Sequence, residues 1–180
     1  MDIPFNFKLL LFWKNLFNKK VENPLIEISK SGRGVSSILF FLPEKAEDAK
    51  IANYLVKSEN PLSECKIGLF CSEKSKDFYS HKSDMKFFTY KDSDLNHFDT
   101  IKSHSLSDQI SATKYDAIVD LNTEFCAAST MLILELDAPL KIGFDSSIAR
   151  KVYTITLERR ENAFLEGYFS KILGLLGVSL

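Results

Sequence analysis

Tyr115-Asp116-Ala117-Ile118-Val119-Asp120-Leu121, a largely apolar run from Glu124 to Leu136, and then Pro139-Leu140-Lys141-Ile142-Gly143-Phe144 form the stretch that decides the fold. The outer segments are short and rich in branched apolar residues, as buried strands are, and the middle one is long enough for about three helical turns. Asn122 or Thr123 supplies an N-cap for that helix. Strand, helix and strand in this order make a parallel unit closed by a right-handed crossover.

The same alternation continues outward in both directions. Toward the C-terminus, Val152 to Leu157 reads as another short strand and Asn162 to Leu176 as an amphipathic helix. Toward the N-terminus, Ile38-Leu39-Phe40-Phe41-Leu42 is a buried strand stopped by Pro43, and Glu44-Lys45-Ala46-Glu47-Asp48-Ala49 opens a helix reaching about Val56, with acids at its positive end. Lys66 to Cys71 and Lys86 to Tyr90 supply two more strands, and Lys91 to Ser111 reads as polar loop with at most a short helix. Ser31-Gly32-Arg33-Gly34 marks a flexible lead-in; it lacks the strand-then-GxGxxG order of a dinucleotide site. The predicted architecture is a single Rossmann-like, three-layer α/β domain over residues 31–180 with a mainly parallel sheet, preceded by an amphipathic helix and linker over residues 1–30. In such sheets ligands gather beyond the carboxyl ends of the strands, which directs attention to the loops after Leu42, Cys71, Leu121 and Phe144.

Composition narrows the function. Lys plus Arg total 23 against 24 Asp plus Glu, and a net charge of −1 offers no field for steering nucleic acid. Cys65, Cys71 and Cys126 fall outside any CxxC spacing, and reduced core residues of a cytoplasmic protein, or one disulfide, account for them. His81, His97 and His104 match no metal-ligand spacing even with Asp92, Asp94 or Asp99, so no metal or other cofactor is expected. Ser105, Ser107 and Asp108 lack the G-x-S-x-G elbow of a nucleophilic site, and Arg150-Lys151 and Arg159-Arg160 are candidate phosphate contacts near the last strand and helix, with solvated charges the preferred reading.

The N-terminal run Phe5 to Lys20 is the most aromatic part of the chain. Its longest apolar stretch, Leu9 to Trp13, is too short to span a bilayer, and no signal-peptide cleavage site follows. On a helical wheel Phe5, Leu9, Phe12, Trp13, Leu16 and Phe17 gather on one face, while Phe7 and Leu11 interrupt the polar side. Two roles compete for that aromatic face. It packs on its own domain or on a protein partner or second copy, which is the preferred reading, or it lies on an anionic membrane surface as a peripheral contact at the inner face.

Tyr115 to Asn122, the helix, and Leu140-Lys141-Ile142-Gly143-Phe144 resemble the "YDxxIDLQ, helix, RIGF" run of glycosyltransferase family 9, the ADP-heptose:lipopolysaccharide heptosyltransferases. The Ile38 to Leu42 strand with its loop to Asp48 is similar to that family's first strand and "GD" loop, and Asn162 to Gly177 to the helix that leads to its second domain, so the resemblance runs from about Ser37 to Val178. It implies an N-terminal lobe that receives a sugar acceptor, a C-terminal lobe that binds the nucleotide-sugar donor, and inverting transfer between them. Counted without gaps from Ile38, Asp48 takes the position of the family's catalytic base. Glu47 stands where the family has glycine and would bring a second charge into the same space. A solvated first-turn acid is the preferred reading of Asp48. Asp120 and Asn122 are candidates for holding acceptor hydroxyls, with capping of the following turn the simpler role for each.

The pattern stops near Leu176-Gly177, before the donor lobe of the family. Two function classes follow: a non-catalytic, half-size glycosyltransferase-like domain with a binding or interaction role, or the acceptor-binding component of a heptosyltransferase-like enzyme completed by a second chain. Under either, the isolated chain is expected to lack transfer activity, because nothing in it replaces the groups that hold a departing diphosphate.

Overall fold

The computed structural model describes residues 3–17, 35–57, 65–79, 85–159 and 164–176. The elements are α1 (Phe5–Phe17), β1 (Ser37–Phe41), α2 (Ala46–Lys57), β2 (Lys66–Ser72), β3 (Lys86–Tyr90), α3 (His104–Ser111), β4 (Ala117–Asp120), α4 (Ala127–Glu135), β5 (Leu140–Phe144), α5 (Ala149–Val152), β6 (Ile155–Leu157) and α6 (Leu165–Leu175). All six strands run parallel in the order β3-β2-β1-β4-β5-β6, the doubly wound arrangement that the alternating pattern predicts. Short buried strands need both faces covered, and β1 shows how this is done. Ile38 and Phe40 join the layer of Ala49, Ala52 and Val56 from α2 and Phe169, Ile172 and Leu173 from α6. Leu39 and Phe41 join Leu132 and Ile133 of α4, Ile110 of α3, and Phe7 and Leu11 of α1.

At the amino end of the sheet Asp116 ties β1 to β4. Its Oδ2 accepts from the Ser36 amide at 2.9 Å, the Ser36 hydroxyl at 2.6 Å and the Ser37 amide at 3.0 Å. The Ser36 hydroxyl first, and the Ser37 and backbone donors after it, hold the carboxyl below its usual range against the opposing effect of partial burial. The Asp of the Tyr115-Asp116 pair is therefore a strand clamp, remote from the carboxyl end where ligands gather.

Several local expectations are corrected. α1 forms, but Phe7 and Leu11, with Ile3 just before the helix, face the core while Phe5, Leu9 and Phe12 point outward at 77%, 49% and 61% exposure, the reverse of packing that aromatic face on its own domain. The two residues that seemed to spoil the polar side are the ones the sheet needs covered. α4 begins at Ala127 instead of Glu124, and its N-cap is Cys126, because Asn122 is engaged in a turn with Asp120. The Val152 to Leu157 segment divides into the end of α5 and the short β6. Lys91 to Ser111 holds a 3-10 turn at Asp92–Asp94, an antiparallel bridge between Leu95 and Ile101, and α3. Ser31 to Gly34, His81 and Arg160 lie outside the described residues.

Candidate functional site

Strand order reverses between β1 and β4, so the chain leaves these neighbours toward opposite edges and their following loops part. The crevice so formed holds a cavity of about 390 Å³. The β1–α2 loop lends it Pro43, Glu44 and Lys45, the first turn of α2 Asp48, the β4–α4 loop Asn122 to Cys126, the end of β3 Tyr90, the loop beyond β3 Leu95, His97, Phe98 and Asp99, and the N-terminal segment Pro4 with Asn6 and Phe7 of α1.

Asp48 lies in the first turn of α2, where the unpaired amides of the helix start favour a carboxylate. It is buried, and the Thr123 hydroxyl donates to its Oδ2 across the crevice. The solvated first-turn acid is Glu47 and not Asp48: Glu47 is exposed and is not part of the cavity lining, so its charge does not crowd the site as the glycine comparison implied.

Asp120 is buried at the end of β4, and both of its oxygens accept hydrogen bonds from within the protein. The Tyr153 hydroxyl donates to its Oδ2 at 2.6 Å, while the Asn122 amide at 3.0 Å and side-chain nitrogen at 2.7 Å donate to Oδ1. Burial raises the Asp120 carboxyl above its usual range, opposed by these bonds, and burial also lifts the Tyr153 hydroxyl. Room for the Tyr153 ring comes from Gly143, since a Cβ there would meet three ring carbons at under 3.0 Å. Asn122 reaches the cavity wall, but its side-chain amide is spent on Asp120 and, at 3.4 Å, on the Ser129 hydroxyl. Of the three candidates, Asp48 and Asn122 border the cavity and Asp120 stands behind them in a smaller recess.

The sequence reading missed Glu44, Tyr90, Thr123 and Tyr153. Tyr90 ends a strand, and its hydroxyl donates to Glu44 Oε1 at 2.8 Å; burial keeps it a neutral phenol. The Cys126 thiol lies 3.3 Å from the Ser129 hydroxyl, and burial raises it, as burial pushes Cys71 up to about 11, so neither offers a thiolate at neutral pH. The cavity's far wall is a built loop: Asn96 Oδ1 accepts from the Phe98 amide at 2.8 Å and the Thr100 amide at 3.2 Å, which accommodates Asp99 at φ 57°.

Charge is unevenly spread around this lining. Glu44, Asp48, Asp99 and Glu124 face one ammonium, Lys45, which is 3.8 Å from Glu124. His97 borders the cavity with its ring 3.8 Å from that of Phe98, and His104 starts α3 in solvent. Arg150, Lys151 and Arg159 are exposed and away from the crevice. Among the described residues no group of three or more His, Cys, Asp or Glu could hold a metal ion.

Residues 11–171 match a family of unknown function, DUF6913. The chain belongs to this family. Among curated proteins none matches the DUF6913 chain. Its fold is similar to the crystal structure of a glycosyl transferase family 9 protein from Veillonella parvula, with a TM-score of 0.60 and 16% identity over 80% of this chain. The match takes in 42% of the solved protein, so the DUF6913 chain spans less than half its length.

Proposed function

We propose that this protein is a glycosyltransferase-like binding domain whose switch-point crevice holds a hydroxyl-rich, uncharged ligand such as a sugar, and that it performs no transfer alone. The observation that carries the reading is Asp48, a buried carboxylate at the cavity wall with the Thr123 hydroxyl as its hydrogen-bond partner among the described residues. Carboxylates accept strong hydrogen bonds from sugar hydroxyls, and the rings of Tyr90, Phe98 and Phe125 offer apolar surface for the faces of a sugar ring. Four carboxylates against one paired ammonium repel a diphosphate, and a departing diphosphate needs cationic or oriented amide donors.

Titration calorimetry or ligand-observed NMR with neutral mono- and oligosaccharides and with nucleotide sugars tests this. Saccharide binding should fall at least about tenfold in Asp48→Asn, the usual worth of a hydrogen bond to a charged group, with the melting temperature nearly unchanged. Tighter binding of nucleotide diphosphates, or no response to any saccharide, would overturn the proposal.

A second reading, an acceptor-binding component of a heptosyltransferase-like enzyme completed by another chain, is favoured by the likeness to part of a glycosyl transferase family 9 protein. There Asp48 would take the proton of the attacking acceptor hydroxyl. Sugar transfer that appears only on adding a donor-binding chain, and disappears in Asp48→Asn, would select it.

A further inference from the structure

The outer face of α1 is an apolar surface attached to a basic segment. Phe5, Leu9 and Phe12 recur at helical spacing and are exposed, while Ile3, Phe7 and Leu11 on the opposite side are buried in the core. The helix therefore has its intramolecular seat already, and the outward stripe is surplus to it. Local charge says what the stripe fits. Lys8, Lys14, Lys19 and Lys20 occur between Ile3 and Val21 with no acidic residue among them, in a chain whose net charge is −1. A protein groove would need only the apolar stripe, whereas a basic flank beside aromatic side chains matches the boundary between anionic headgroups and acyl chains. Among the described residues no helix is long and apolar enough to cross a membrane, so the contact is parallel to the surface.

We infer that α1 docks the protein on anionic lipid, with Phe5, Leu9 and Phe12 immersed and the exposed Lys8 beside them at the headgroups. Pro4 just before α1 and Asn6 and Phe7 at its start line the cavity, so docking α1 holds the crevice within about one helix diameter of the lipid surface. The inference does not depend on what the cavity binds.

Trp13, the single tryptophan, belongs to α1 and reports on it directly. The full chain is mixed with vesicles of phosphatidylcholine alone and of phosphatidylcholine with phosphatidylglycerol, following tryptophan emission and co-sedimentation. Binding to the anionic vesicles should blue-shift the emission, weaken as salt is raised, and exceed binding to phosphatidylcholine by roughly tenfold. The combined variant Phe5→Ser, Leu9→Ser and Phe12→Ser should lose at least about tenfold in partitioning while keeping its melting temperature, because none of these side chains is in the core. Lys8→Glu should weaken binding without abolishing it. No binding of the wild-type chain, equal binding by the triple variant, or a dimer in solution that the triple variant dissolves without any vesicle binding would overturn the inference.

Discussion

The two flanks of the switch-point crevice carry similar chemical groups and treat them oppositely. On the β4–β5 side, Asp120, Asn122 and Tyr153 satisfy one another, and Gly143 gives up its side chain so that the Tyr153 ring can reach Asp120. On the β1–α2 side, among the described residues, Asp48 accepts from the Thr123 hydroxyl and the exposed Glu44 from the Tyr90 hydroxyl, and both line the cavity. A buried carboxylate with all its donors inside the protein fixes structure, because a ligand could bind it only by displacing bonds already made. Asp48, buried at the wall with Thr123 as its one donor among the described residues, has acceptor capacity that Asp120 has already spent. The contrast moves Asp120, the more conspicuous residue in the sequence, to a supporting role and leaves Asp48 as the residue to test.

The largest expected effect comes from opening the closed flank. Asp120→Ala strips the Tyr153 hydroxyl and the Asn122 amide of their partner in a buried setting, and should lower the unfolding free energy by about 2–4 kcal/mol in urea denaturation. A loss under about 0.5 kcal/mol, the size of a neutral surface change, would mean the flank is not the structural unit described. Gly143→Ala acts on the same unit from behind. Its methyl would collide with the Tyr153 ring, which the Asp120 bond prevents from swinging away, for an expected cost of about 1–3 kcal/mol. That cost should shrink when Tyr153→Ala is added, and a cost unaffected by the second change would place the strain elsewhere in β5.

The strands and their parallel order could be read from Ile38 to Leu42, Lys66 to Cys71 and Tyr115 to Leu121, because buried parallel strands are written as continuous apolar runs. Asp48 was reachable by counting from β1, but its burial was not: Thr123, which closes over it, is 75 residues away in sequence and arrives through the β1–β4 pairing. The start of α4 was misread because Asn122 has the chemistry of an N-cap, and only the buried Asp120 beside it shows that the amide is already engaged. α1 carries two apolar stripes on one helix. Periodicity detects both, and the larger, more aromatic one attracted the assignment to the core. Which stripe turns inward depends on the sheet surface it must fit, and that surface is absent from the local sequence.

The smallest effect separates the two ends of β4 by the sign of their pH dependence. Asp116, with its carboxyl lowered from the ordinary 3.8, binds fewer protons in the folded chain than in the unfolded one between its lowered value and 3.8. Its contribution is therefore present above 3.8 and is lost as the pH falls through the lowered value. Asp120 has its carboxyl raised from 3.8, so between 3.8 and the raised value the folded chain holds the extra proton, and stability falls as the pH rises. Urea midpoints measured across the acid range on wild type, Asp116→Asn and Asp120→Asn would resolve the two. Asp116→Asn should lose less stability than wild type on acidification below 3.8, by no more than about 1 kcal/mol because solvent reaches Ser36 and screens the clamp. Asp120→Asn should show a smaller decline than wild type as the pH rises from 3.8 through the raised value. If both variants changed the slope in the same direction, the opposition between a half-open clamp at one end of the strand and a sealed carboxyl at the other would be wrong.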